Sequence, residues 1–232
     1  VRGVGPTLAT SLPNYLPDPA LELHDILTGK VIGGNHDWDN TPEMRETFAR
    51  LGAQPFAEGS KDAAILAELT RGVYTAHVAA EDGVPGIALA EVYDADDNDG
   101  ARLVNVSARA QIGTGADILI AGFVISGNAP ERVLIRGIGP TLQLSGITGF
   151  LADPAIRLYH GSETIALNDN WGGDPEISAT GKRIGAGDLI SETSKDAAIL
   201  ITLDPGIYTV HVSGADGGTG VGLVEIYEVP DE

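Results

Sequence analysis

"SKDAAIL" occupies residues 60–66, and the same seven residues recur at 194–200. A heptapeptide that sets Ser-Lys-Asp against an apolar run does not recur by accident, and internal duplication is the first property to test in any chain. Working outward at the same spacing, "VRGVGPTL" from Val1 answers "IRGIGPTL" from Ile135, and "PDPALEL" from Pro17 answers "ADPAIRL" from Ala152. "NHDW" ending at Trp38 matches "NDNW" ending at Trp171, "GVYTAHV" from Gly72 matches "GIYTVHV" from Gly206, and "LAEVYD" from Leu89 matches "LVEIYE" from Leu223. The chain is therefore two copies of one unit. The segment from Arg102 to Leu134 precedes the second copy, and nothing equivalent precedes the first. The division that follows is 1–96, a first repeat incomplete at its N-terminus; 97–101, an acidic linker; and 102–232, a second, complete repeat.

The residue types predict strands. The 232 residues include 31 Gly and 13 Pro, which break the chain into short runs rich in Val, Ile, Leu, Thr and Tyr. Period-two alternation places strands near 102–110, 117–126, 131–138, 155–160, 164–168, 196–203, 207–213 and 221–228. In "GIYTVHV" it sets Tyr208, Val210 and Val212 on one face and Thr209 and His211 on the other. One helical turn is expected, at "TPEMRETFARLG" from Thr41, where Thr41 caps and Pro42 takes the first turn. The predicted fold class is all-β: two tandem antiparallel β-sandwich units of jelly-roll or Greek-key type, the first lacking its N-terminal strands.

Composition excludes several classes of function. A formal net charge of -19 argues against binding nucleic acid or anionic membranes. With no cysteine, there is no disulfide framework, thiolate nucleophile or Cys-bound metal. No apolar run reaches the length of about 18 residues that a membrane-inserted helix needs. The chain starts at Val1, without an initiator Met or signal peptide, which suggests a processed product or a fragment.

Several of these segments, "RLVNVSARAQIGTGADILIAGFVISG", "VLIRGIGPTL", "SKDAAIL" and "PGIYTVHVSG" among them, resemble a repeat of large secreted bacterial proteins of unassigned function. The resemblance covers 102–232 and, without its first strands, 1–96. "LDPGIYTVHVSG" also resembles, more weakly, the pre-peptidase C-terminal type of β-sandwich, a non-catalytic appendage of secreted enzymes. Neither resemblance supplies a catalytic residue; the first implies an extracellular, structural or adhesive setting at the bacterial cell surface.

Most notable polar residues occur once per unit at matched positions, as fold maintenance requires and as an assembled catalytic set does not. Arg2, Arg136, Asp62 and Asp196 are read as strand-end ties, and Trp38 and Trp171 as loop anchors. "DADDNDG" offers Asp94, Asp96, Asp97 and Asp99 as candidate Ca²⁺ ligands, although Ala95 falls at the first position of an EF-hand register and no Glu closes the loop. The solvated linker is the competing reading. No Gly-x-Ser-x-Gly elbow occurs, and the five His lack an i, i+4 pair on a helix, which argues against an enzyme and against Zn²⁺. If the first unit truly lacks two strands, its open edge would recruit a strand from a neighbour and join copies head to tail in a homopolymer. If Val1 is only a fragment boundary, the strands lie upstream. The expected role is a non-catalytic extracellular filament subunit, with a glycan-binding module of a secreted protein as the alternative, in which the Trp residues would stack on sugars.

Overall fold

The computed structural model describes residues 1–96 and 102–230. The chain forms two compact units, Val1–Arg102 and Leu103–Glu232. Among the described residues no helix is long and apolar enough to cross a membrane.

The first unit contains β1 (Arg2–Val4), β2 (Pro19–Asp25), β3 (Lys30–Asn35), helix α1 (Pro42–Arg50), β4 (Ala63–Ala64), β5 (Tyr74–Ala80) and β6 (Leu89–Glu91). The second contains β7 (Asn105–Ile112), β8 (Leu119–Ile125), β9 (Glu131–Ile138), β10 (Pro154–His160), β11 (Glu163–Asn168), α2 (Pro175–Ile184), β12 (Ala197–Leu203), β13 (Gly206–Gly214) and β14 (Gly220–Glu228). Every strand pairing is antiparallel. In the second unit one sheet runs β12-β9-β14-β7 and the other β11-β10-β13-β8; in the first the sheets are β4-β1-β6 and β3-β2-β5. Apart from the hairpins β2–β3 and β10–β11, each strand passes to the opposite sheet. That crossing gives an all-β sandwich in which neighbours in sequence lie in different layers.

The second unit's core lies between its sheets: Val133, Ile135, Val224 and Ile226 from one meet Ile156, Leu158, Val210 and Val212 from the other. Tyr208, Val210 and Val212 are buried, while Thr209 and His211 are half-buried on the opposite face, as period two requires. The first unit concentrates its core elsewhere. Val4, Trp38, Met44, Phe48, Ala53, Phe56 and Ala64 cluster beneath α1, with Trp38, Phe48 and Phe56 in mutual ring contact.

Two expectations need correction. Among the described residues there are two α-helices, not one helical turn. Thr41 caps α1 by accepting from Met44 N at 3.2 Å. Asp174 caps α2 by accepting from Glu176 N at 2.8 Å and Ile177 N at 3.3 Å, and Gly185 ends α2 in the left-handed region. Pro175 and Gly185 bound "DPEISATGKRIG" as Pro42 and Gly52 bound α1, and Ile177 and Ile184, seven residues apart on one face, pack against the core. The first strand of the second unit begins at Asn105 rather than 102, because its register with β14 runs from Tyr227↔Asn105 to Gly220↔Ile112.

Candidate functional site

The repeated heptapeptide builds a latch in each unit. After β1 and β9 the chain makes a short 3₁₀ turn, Pro6–Thr10 and Pro140–Ser145, whose first N–H groups have no partner within the turn. A carboxylate from far along the chain supplies it. Asp62 accepts from Gly5 N at 2.7 Å, Thr7 N at 3.3 Å and Thr7 Oγ1 at 2.7 Å, and also from Ser60 Oγ. Asp196 repeats the set with Gly139 N at 2.8 Å, Thr141 N at 3.2 Å, Thr141 Oγ1 and Ser194 Oγ. Both Asp residues are fully buried. The intervening Lys61 pairs with Asp18, and Lys195 with Asp153 at 3.3 Å. The next residues, Ala63 and Ala197, face Gly3 and Gly137 across the sheet.

The second glycine of "RG(V/I)GP" has a steric cause. A Cβ on Gly5 would lie 2.1 Å from Leu16 O, and one on Gly139 would lie 2.0 Å from Leu151 O. The turn can close under its Asp only because the backbone is bare at that point.

The tryptophans belong to the same latch. Trp38 N donates to Asp62 O and Trp171 N to Asp196 O, both at 2.9 Å. The indole N–H groups donate to Ala57 O at 3.1 Å and Ser191 O at 3.0 Å. Asn35 and Asn168 accept from Ala64 N and Ala198 N, tying the loop to the strand. Trp38 and Trp171 are 6% and 7% exposed.

The matched arginines are buried by different means. Arg136 donates to Glu225 Oε2 from Nε at 2.8 Å and to Gly187 O from Nη1 at 2.9 Å, with Nη2 bonded to Ala186 O. Arg2 lies 3.2 Å from Glu91 through Nε, yet neither Nε nor Nη1 makes a hydrogen bond among the described residues. Its guanidinium instead sits 4.4 Å and 4.0 Å from the ring centroids of Phe48 and Phe56. Burial lowers its pKa, with Glu91 opposing the shift. Nearby, burial and then the Glu91 carboxylate, which accepts the Tyr93 hydroxyl proton, raise the Tyr93 pKa.

Of the candidate Ca²⁺ ligands, Asp97 and Asp99 lie outside the described residues, as does the 97–101 linker. Asp94 Oδ1 accepts from Asp96 N at 3.1 Å, an ordinary Asx turn.

The largest difference between the units lies along one edge. In the second unit β7 lies beside β14 and β8 beside β13, and their Ile112, Leu119 and Ile125 help fill the core. In the first unit β6 and β5, the counterparts of β14 and β13, have no such neighbours among the described residues. Matched inward positions register the loss. Ile226 is 8% exposed, whereas its counterpart Val92 is 43% exposed. Val224 is buried while Ala90 is exposed; Tyr208, Val210 and Val212 are buried while Tyr74, Ala76 and Val78 are half-buried. Among the described residues, the first unit thus presents a partly uncovered apolar cleft flanked by two unpaired strand edges.

Sheet pairing also assembles a group that the search for helical His pairs passes over. Glu22 and His24 lie two residues apart on β2, and His77 stands opposite Glu22 on β5. Their ligand atoms all fall within 4.8 Å of one another. The readable signal was the alternation in "LELHD" together with the outward His of "YTAHV".

No family model matches the chain, and no curated protein does. Among solved structures, it is similar to the pre-peptidase C-terminal domain of a collagenase from Bacillus anthracis, at 13% identity over 53% of this chain and 89% of that chain, with a TM-score of 0.33. The weaker of the two resemblances drawn from the sequence thus has a slight structural counterpart, too slight to carry functional meaning. The resemblance to the repeat of large secreted proteins has no match among family models.

Proposed function

We propose that this protein is a non-catalytic extracellular structural subunit whose first unit is completed by added strands from a neighbour, joining subunits head to tail into a surface filament. The observation that supports this reading is the internal comparison. The same unit occurs once with β7 and β8 covering its cleft and once with the cleft open, at matched residues. Unpaired strand edges template the pairing of another strand, and the apolar cleft beside them rewards it by burial. Contacts between unlike surfaces propagate without closing, which produces a fibre. Exchange of β7 and β8 between copies would move the opening without filling it. A strand pair of the β7–β8 kind is what fits the opening.

The test is a synthetic peptide spanning residues 102–128, titrated into the full chain while amide hydrogen exchange is followed in β5 and β6. The expected result is saturable binding that slows exchange in both strands, is lost in Val92→Asp, and is accompanied by filaments in negative-stain images of native material. A monodisperse chain at high concentration with β5 and β6 already fully protected would refute the reading.

A further inference from the structure

We propose that Glu22, His24 and His77 form a binding site for a divalent transition metal, Zn²⁺ in preference to harder cations. The site lies on the outward face of the β3-β2-β5 sheet, away from the cleft, and the inference is independent of strand addition.

The donor set is two imidazoles and one carboxylate, the combination that Zn²⁺ takes when a water or another ligand completes a four-coordinate shell. Hard cations such as Ca²⁺ and Mg²⁺ prefer all-oxygen surroundings, so nitrogen donors select against them. The geometry is close to what such a centre needs. Glu22 Oε2 lies 3.1 Å from His24 Nε2, the His24 and His77 ring centroids are 4.3 Å apart, and all three ligand atoms lie within 4.8 Å of one another. Ligands of a tetrahedral Zn²⁺ at about 2.1 Å stand about 3.4 Å apart, a distance reached by side-chain rotation alone. The backbone beneath is held by continuous antiparallel pairing of β2 with β5, in which Glu22 faces His77 and His24 faces Thr75.

The duplicated unit supplies the control. Its counterparts are Arg157, Tyr159 and His211, placed on β10 and β13 in the same register. Strands of the same kind pair there with an arginine and a tyrosine in place of the glutamate and histidine. The fold therefore does not require Glu22 or His24, and the fold-maintenance argument that accounts for Asp62, Arg2 and Trp38, and that extends to His77 through its match His211, does not account for these two. In the second unit burial, and then the Arg157 charge, lower the His211 pKa, and no carboxylate stands in the trio.

Isothermal titration of untagged full-length protein with Zn²⁺ tests the site, with Co²⁺ as a spectroscopic substitute. The expected result is one saturable Zn²⁺ per chain above the diffuse binding of exposed carboxylates, and a visible d–d band of a four-coordinate centre with Co²⁺. His24→Ala and His77→Ala should each weaken Zn²⁺ binding by at least about tenfold and abolish the band, whereas His211→Ala should change neither. Neither His24 nor His77 is buried, and unchanged far-UV circular dichroism checks that the variants fold. The inference is overturned if the His24→Ala/His77→Ala double variant binds Zn²⁺ as tightly as the parent, or if the parent shows no saturable site.

Discussion

Replacing Asp196 by Ala tests the central structural claim, that one buried carboxylate holds each unit's turn closed from 55 to 57 residues away in sequence. The substitution strips the acceptor from Gly139 N and Thr141 N in a site with no exposed surface, at about 1–3 kcal/mol for each buried N–H. The two hydroxyls suffer less: Ser194 Oγ can turn, and Thr141 Oγ1 still accepts from Ile190 N at 2.9 Å. The second unit should therefore lose about 3–4 kcal/mol, a fall in Tm of about 10–15 °C for a unit of this size. Asp196→Asn keeps one oxygen for the N–H groups and sets an NH₂ against the hydroxyls, so it should cost about 1–2 kcal/mol. Each unit carries one tryptophan, so urea unfolding followed by Trp171 fluorescence in a Trp38→Phe background reports the second unit separately, as a two-unit chain requires. Asp62→Ala, followed through Trp38, should weaken the first unit and leave the second untouched. A loss below about 1 kcal/mol in Asp196→Ala, or equal losses in Ala and Asn, would refute the capping argument.

Gly139→Ala should destabilise the second unit by about 3 kcal/mol in the same assay, because its Cβ would meet a backbone carbonyl that cannot rotate aside. Ile226→Asp should unfold the second unit, whereas Val92→Asp at the matched position should leave the first unit's Tm within a few degrees, since Val92 already faces solvent. Alkaline titration should destabilise the second unit: burial, with Glu225 adding to it, pushes the Tyr227 pKa up to about 12. Below the ordinary tyrosine value of about 10 both states hold the proton. Between about 10 and about 12 only the folded state does, so stability falls as pH rises through that window, and Tyr227→Phe should flatten the slope.

Much of this was legible in the chain itself. The duplication, the alternation in "GIYTVHV" and the Gly and Pro punctuation specify a β-sandwich built twice, because period-two patterning and turn chemistry are local properties. Pairing was not local. That Asp62 and Asp196 cap a turn lying far earlier in the chain follows from β4 and β12 docking on β1 and β9. The different surroundings of Arg2 and Arg136 arise because Phe48 and Phe56 line one site and backbone carbonyls the other. Helix α2 was legible too, in its Asp-Pro start, its Gly end and the seven-residue spacing of Ile177 and Ile184, but these signals lie among strand segments and were passed over.

Two copies of one strand pattern can be read directly from the chain, since repetition and alternation need no partner to be seen. Strand order within the sheets, which sets the strands that border the opening and brings Glu22, His24 and His77 together, came from the fold alone. Both facts depend on which strands lie side by side, and strand order is set by burial across the whole unit rather than by any one segment.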